Sequence, residues 1–354
     1  MPANRRLLYI INSLDIGGAE IGMCRLLDGL DQDAYDVTIV ALSGQSGELT
    51  DRIPEWVDVL DLSVTSSPSL SALREFFSLV RSTDVIVGSL FHSAMVARAV
   101  GVFNRDATVA TWQHADRFAS NTRQKGYVWT AGLSDVILAD SEPVAEMLVA
   151  ECGLDEDHVA TVPIAGIDLD DYTPAPHSNS EDITVGTVGR LTEPKNPWMI
   201  LDVAERSEGM GISFEIAGDG DLDDDLRAEI QARGLSNVSL RGRIDDVPAF
   251  LETLDIYFQP SLWEGLCITV LEAMAAGLPV VGSNVGGIGR NVRHRETGLL
   301  YKPDDVKGFT EGIAELAADA DRREKLGLKG RDVVSERYTR ESLVTEFEKA
   351  IGTR

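Results

Sequence analysis

The stretch Phe258–Gly277 reads FQPSLWEGLCITVLEAMAAG and passes from strand through a tight loop into a helix. Ile256, Tyr257 and Phe258 form the end of a strand, and Pro260 stops it. The apolar spacing from Ile268 to Met274 is helical and is closed by Gly277. A strand that turns directly into a helix is half of a parallel βαβ unit, in which ligands gather at strand carboxyl ends. The loop Trp263-Glu264-Gly265-Leu266 sets a carboxylate beside the free N–H groups of a helix start, where the helix dipole favours anions and hydroxyl oxygens. Glu272 follows Glu264 after seven intervening residues, about two helical turns on. Two carboxylates facing one ligand suit a polyhydroxylated molecule. Each acid also has an ordinary reading, as a first-turn residue complementing the dipole or as a solvated helix residue.

The same alternation extends outward in both directions. Towards the N-terminus, strands are expected at Leu7–Asn12, Val37–Leu42, Val57–Leu62, Val85–Val87, Val109–Trp112 and Val136–Ala139. Helices are expected at Ile21–Leu30, around Leu73–Arg81, and from Pro143 to near Gly153. Strands at Ile183–Val188, Phe214–Ala217, Val238–Leu240 and Pro279–Gly282 accompany Ile256–Phe258, and Glu341–Ile351 is a last amphipathic helix. Between the two runs, Val162–Asp182 carries three prolines and many acids without period, and its later part reads as a linker. The chain thus predicts two Rossmann-like, doubly wound α/β domains facing a central cleft: residues 1–168, a linker at 169–182, and residues 183–337.

With 354 residues and 44% hydrophobic content, the chain has material for two ordinary cores. Its nearest approach to a membrane span, Val85–Phe103, is interrupted by His92 and Arg98, and MPANRRLLYIINSLDIGG has no long apolar segment ending in a small-residue cleavage site, so secretion is not expected. Cys24, Cys152 and Cys267 lack metal or disulfide spacing and suit inert thiols in a reducing compartment. The net charge of −26 argues against nucleic acid or an anionic membrane as partner of the whole surface. Acids number 33 Asp and 25 Glu against 25 Arg and only 7 Lys, a bias that suggests adaptation to high salt.

Further groups carry chemistry. Gly189-Arg190-Leu191 and Lys195 follow a strand, so a planar guanidinium and a mobile ammonium can face one diphosphate. Asp219–Asp225 lacks the ligand positions of a calcium loop and reads as an acidic helix start. Gly17-Gly18-Ala19-Glu20 opens a helix with glycines that permit close backbone approach. His114 lies just past a strand end, and His92 is its competitor.

PSLWEGLCITVLEAMAAGLPVVGSNVGG (260–287) resembles the donor-sugar signature of retaining GT-B glycosyltransferases of family 4, and GRL-x3-K and GGAE extend the likeness over nearly the whole chain. The resemblance implies that Glu264, with the N–H groups of Gly265, Leu266 and Cys267, binds the donor sugar and that Glu272 binds the ribose hydroxyls. It implies that Arg190 and Lys195 hold the diphosphate and offset its developing charge without a metal or other cofactor. By the same likeness, Arg243 would contact the base, Gly17 and Gly18 would approach the donor phosphate, and His114 would lie near the sugar. A C-terminal helix at about 338–354 would pack back on the first domain. The implied partners are a UDP- or GDP-sugar and a hydroxyl acceptor, lipid-linked for some relatives. The place would be the cytoplasm, at the inner membrane face if a peripheral contact exists, although no basic amphipathic helix in the sequence demonstrates one.

Two positions depart from the family pattern: Ala165-Gly166 stands where many relatives have Asn-Gly, and Gly286-Gly287-Ile288-Gly289-Arg290 where many have Gly-Gly-x-Pro-Glu. The rival readings are a UDP-sugar 2-epimerase of GT-B fold and a non-catalytic nucleotide-sugar binder.

Overall fold

The computed structural model of the chain describes residues 4–43, 47–63, 69–174 and 182–352. They form two compact units, one running up to Gly166 and resuming at Arg340, the other Ile167–Thr339.

In the first unit, β1 (Arg5–Ile11), β2 (Tyr35–Ala41), β3 (Asp58–Asp61), β4 (Val85–Ser89), β5 (Thr108–Gln113), β6 (Val136–Ala139) and β7 (Val159–Thr161) form one sheet in the order β3-β2-β1-β4-β5-β6-β7. Every pairing is parallel. The runs VIVGS of β4, TVATWQ of β5 and VILA of β6 are buried at every position, because helices cover both faces and alternation has no solvent side to serve. One core gathers Leu8, Ile10, Ile86 and Val109 under Phe76 and Val80; another gathers Ile137, Ala139, Val144 and Leu148 around Tyr127.

The second unit repeats the plan with β8 (Ile183–Val188), β9 (Ile212–Ala217), β10 (Val238–Gly242), β11 (Ile256–Gln259), β12 (Val280–Ser283) and β13 (Gly298–Tyr301), in the order β10-β9-β8-β11-β12-β13, again all parallel. Phe214, Ile216, Phe258, Val281 and Phe309 lie at its core. In both sheets the winding reverses once, between β1 and β4 and between β8 and β11. These switch points open a crevice at the strand carboxyl ends, where ligands bind in such folds.

The segment read as a linker is reassigned in its described part, residues 169–174. Ile167 pairs with Thr339 and its N–H donates to the Tyr338 carbonyl at 2.8 Å. The Arg331 guanidinium then takes the carbonyls of Leu169 at 2.9 Å and Tyr172 at 2.7 Å, and also that of Ala275. These contacts anchor 167–174 in the second unit, so the division falls after Gly166 and not after 168. Residues 175–181 of that segment lie outside the described residues.

The last helix, Arg340–Ile351, belongs to the first unit. Its Phe347 stacks on Trp112 of β5, with centroids 5.8 Å apart and planes 9° from parallel, and its Ile351 carbonyl accepts from Arg5 at 2.8 Å. The helix from Glu142 widens to a π turn over Met147–Glu151, and the short β7 and β13 add to the strands that the sequence predicts.

Candidate functional site

The second unit places its charged candidates on the two strands that flank its switch point. β8 ends at Val188, and Gly189-Arg190-Leu191 leads to the 3-10 turn Glu193–Lys195. β11 ends at Gln259, and the loop through Glu264 leads to the helix Ile268–Ala275. The two loops are joined by the Leu262 N–H on the Pro194 carbonyl at 2.8 Å and by the Asn196 amide on the Pro260 carbonyl at 3.1 Å. Asn196 adopts a left-handed conformation (φ 51°) that starts the next helix at Pro197.

This joining brings Lys195 onto Glu264, with Nζ 2.6 Å from Oε1. The same oxygen accepts from Ser261 Oγ at 2.7 Å, and Ser261 accepts from Gln259 Nε2 at 2.8 Å. Behind them is the fully buried Tyr257, whose hydroxyl lies 3.0 Å from Gln259 Oε1 and 3.2 Å from the Val188 carbonyl. Each of these side chains thus has at least one hydrogen-bond partner within the network, as burial requires. Burial alone would pull the Lys195 ammonium down, but the Glu264 carboxylate more than offsets it and holds Lys195 above the ordinary lysine range. Lys195 therefore stays a cation across the physiological range. Among the described residues, Glu264 Oε2 takes no hydrogen bond.

After Glu264 the backbone offers donors. Cys267 takes a left-handed conformation (φ 58°) before the helix starts at Ile268. Among the described residues, the N–H groups of Gly265, Leu266 and Cys267 donate to no protein acceptor. The loop is braced from behind by the Gly287 N–H on the Gly265 carbonyl at 2.7 Å and the Asn291 amide on the Leu266 carbonyl at 3.3 Å. Gly286 sits at φ 43°, and a Cβ there would lie 1.8 Å from the Glu264 carbonyl oxygen. That contact explains the Gly-Gly pair while leaving the exposed Arg290 at the far end of its short helix. The Cys267 thiol is pushed up to about 12 by burial and then by the Glu264 charge, so it is neutral and unreactive near neutrality.

Glu272 lies on the same helix and is only 5% exposed. Its Oε1 accepts from the buried Tyr172 hydroxyl at 3.3 Å. Arg190 is exposed and, among the described residues, its side chain makes no hydrogen bond or ion pair. The turn Gly218–Gly220 presses on its loop: a Cβ on Gly218 (φ 132°) would lie 1.9 Å from the Gly189 carbonyl oxygen. Arg243 is exposed just past the edge strand β10, with β9 and β8 between it and Glu264, so the sheet order does not bring it to the carboxylate.

The first unit carries its candidates at the corresponding strand ends. Gly17 caps the helix Gly18–Gly29 without a side-chain bond, and Glu20 folds back towards it. His114 follows β5, stacked on Trp112 with centroids 5.8 Å apart. Its Nε2 lies 2.9 Å from Ser89 Oγ, and its Nδ1 3.6 Å from Asp140 Oδ2. His92, the competitor, is exposed at the start of the helix Phe91–Gly101.

Sequence reading missed Ser261, Tyr172, Ser89 and Asp140. For the last two a signal existed: the apolar strands VIVGS and VILAD each end on a polar residue, as TVATWQH does. Among the described residues, no three histidine, cysteine or acidic side chains are grouped to hold a metal ion, and no helix is long and apolar enough to cross a membrane.

Comparison with known proteins adds three kinds of likeness. Residues 16–171 match the family model described as Glycosyltransferase Family 4, and residues 170–333 match the one described as Glycosyl transferases group 1. A similar curated protein is the UDP-Gal:alpha-D-GlcNAc-diphosphoundecaprenol alpha-1,3-galactosyltransferase of Escherichia coli, 23% identical over 82% of this chain and 82% of that protein. The GDP-mannose-dependent alpha-(1-6)-phosphatidylinositol monomannoside mannosyltransferase of Mycobacterium tuberculosis is 29% identical over 51% of this chain and 53% of its own. Among solved structures, Anabaena HepE in complex with UDP and glucose superposes with a TM-score of 0.87 over 99% of this chain and 100% of that one, at 18% identity. The fold is that of GT-B glycosyltransferases.

Proposed function

Because the chain belongs to glycosyltransferase family 4 and carries the group 1 glycosyl transferase domain, we propose that it is a retaining transferase. It moves a sugar from a UDP- or GDP-sugar to a hydroxyl acceptor in glycan or glycolipid synthesis. The observation that carries this reading is the Glu264 carboxylate, gripped on one oxygen by Lys195 and Ser261 and followed by three undonated N–H groups. A pyranose offers hydroxyls as donors to a carboxylate and oxygens as acceptors to N–H groups, so one sugar face uses both.

In this reading Glu272 takes the ribose hydroxyls, while Arg190 and Lys195 take the diphosphate. The anomeric carbon–oxygen bond to the diphosphate breaks as a bond from the acceptor oxygen forms on the same face. The acceptor proton passes to the departing diphosphate, whose growing charge the two cations stabilise in place of a metal ion. Gly17, Gly18 and His114 are proposed contacts of the donor from the first unit, and Arg243 is the weakest member, a proposed base contact.

The acceptor is proposed to be lipid-linked and met at the inner face of the cell membrane from the cytoplasm. Support comes from the diphosphoundecaprenol-linked acceptor named for the E. coli relative and from one surface of this chain. Residues 117–133 hold Arg117, Arg123 and Lys125 with no acid, and Trp129, one helical turn after Lys125, is 87% exposed. Flotation with anionic vesicles, reduced in Trp129→Ser and Lys125→Glu, is expected; a chain that never floats removes the contact.

The deciding assay is nucleotide release from UDP-, GDP- and ADP-sugars in EDTA, with and without lipid extract, with the product anomer read by NMR. Lipid-dependent release of one nucleotide and a product retaining the donor's configuration is expected. An inverted product or loss of activity in EDTA overturns retention or metal independence respectively. A free epimerised sugar would instead indicate the 2-epimerase, and tight donor binding without release a binder.

A further inference from the structure

Three neighbouring strands of the first unit end on polar residues that meet. Ser89 closes β4, His114 follows β5 and Asp140 follows β6, and the parallel register sets Ser89 against Trp112 and Gln113 against Ala139. The imidazole therefore lies between a hydroxyl and a carboxylate: Nε2 is 2.9 Å from Ser89 Oγ, and Nδ1 is 3.6 Å from Asp140 Oδ2. Ser89 is fully buried, Asp140 is 4% exposed, and the His114 side chain is 11% exposed. Among the described residues, neither Nδ1 of His114 nor Oδ1 of Asp140 has a hydrogen-bond partner, so the Nδ1–Oδ2 approach is an electrostatic contact. Trp112 closes one ring face, so the ring has a floor as well as two walls.

Elementary electrostatics chooses the tautomer. A lone pair on Nδ1 would face a buried carboxylate 3.6 Å away, whereas an N–H there points positive at negative. With the proton on Nδ1, Nε2 of the neutral ring is an acceptor, and the Ser89 hydroxyl is the donor it meets. We propose that Asp140 and Ser89 are positioning residues for His114, the carboxylate holding the ring proton on Nδ1 and the hydroxyl locking Nε2, so that the histidine stands in one tautomer and one orientation. The inference rests on the reading of His114 as a donor-site residue for its consequence in turnover, but not for its structural content.

The test reads structure and turnover separately. Ring nitrogen-15 shifts of histidine-labelled protein report the tautomer, and a His114→Gln variant identifies the His114 signals among the five histidines. The wild-type enzyme at pH 8 is expected to show a neutral ring protonated on Nδ1. Asp140→Asn is expected to move a substantial share of the proton to Nε2. Ser89→Ala is expected to keep the Nδ1 proton but shift the Nε2 resonance, and Ser89→Thr to restore it. Both Asp140→Asn and Ser89→Ala are expected to lower kcat by about tenfold or more with donor KM changed less than about threefold. A wild-type ring protonated on Nε2 overturns the proposal even if every variant misfolds, as does an unchanged tautomer in folded Asp140→Asn. Should His114→Gln release nucleotide at the wild-type rate, the donor-site reading of His114 fails while the tautomer result stands.

Discussion

Lys195 serves two charges in turn: it neutralises Glu264 in the free protein, and in the proposed reaction it also faces the diphosphate. Removing the ammonium leaves a carboxylate that is 11% exposed and, among the described residues, hydrogen-bonded by the Ser261 side chain alone. Lys195→Ala is therefore expected to lower nucleotide release by about a hundredfold or more and to lower the melting temperature. Steady-state rates beside a thermal melt check both. A release rate within about threefold of wild type would remove Lys195 from the reaction. The thiols make an independent prediction. Burial pushes Cys267 up to about 12 and Cys24 up to about 11, from an ordinary value near 9. The native state thus keeps protons that an unfolded chain gives up. This contribution to stability is whole below about pH 9 and is lost as the pH rises towards 11 to 12. Titration with a thiol reagent at pH 8 is expected to modify only the half-buried Cys152 in native protein and all three cysteines in guanidinium. Lys195 and Glu264 were legible as residue types in context. That Lys195 reaches Glu264, and that Glu272 is held by Tyr172, was not, because these partners are 69 and 100 residues apart in the chain.

At the scale of elements, the strand-loop-helix unit from Ile256 to Ala275 was readable because a change of apolar period and two breakers, Pro260 and Gly277, mark it locally. Its brace was not readable. The helix Gly286–Asn291 holds the loop through close backbone contact, and only the fold brings Gly286 against Glu264. Gly286→Ala is expected to displace the Glu264–Leu266 loop, since a methyl has no room at that backbone and φ 43° disfavours it. Donor affinity, measured by calorimetry with UDP- and GDP-sugars, should fall about tenfold or more, whereas Gly132→Ala, in open space and without a left-handed backbone, should leave it unchanged. Equal affinity for Gly286→Ala and wild type would show that the loop does not depend on this contact. The described part of the presumed linker illustrates the opposite case. Proline and acids made 169–174 look loose, but Arg331, far along the chain, gives its carbonyls a partner.

Across the whole chain, a charge of −26 with so few lysines means strong mutual repulsion in dilute buffer. The screening length falls to about 3 Å at molar salt, which weakens that repulsion, so the melting temperature is expected to rise in molar KCl. An unchanged or lower value would end the inference of salt adaptation. The sequence by itself determined the two parallel α/β sheets, the position of the strand-loop-helix unit around Glu264 and the family likeness, since each is written in nearest-neighbour periodicity or in contiguous motifs. Tertiary structure alone decided where the chain divides, that Lys195 pairs with Glu264, that Arg243 follows an edge strand, and that Ser89, His114 and Asp140 converge at three strand ends. The physical reason is that strand order and register create those neighbours. Both are set by burial summed over whole sheets and not by any local run of residues.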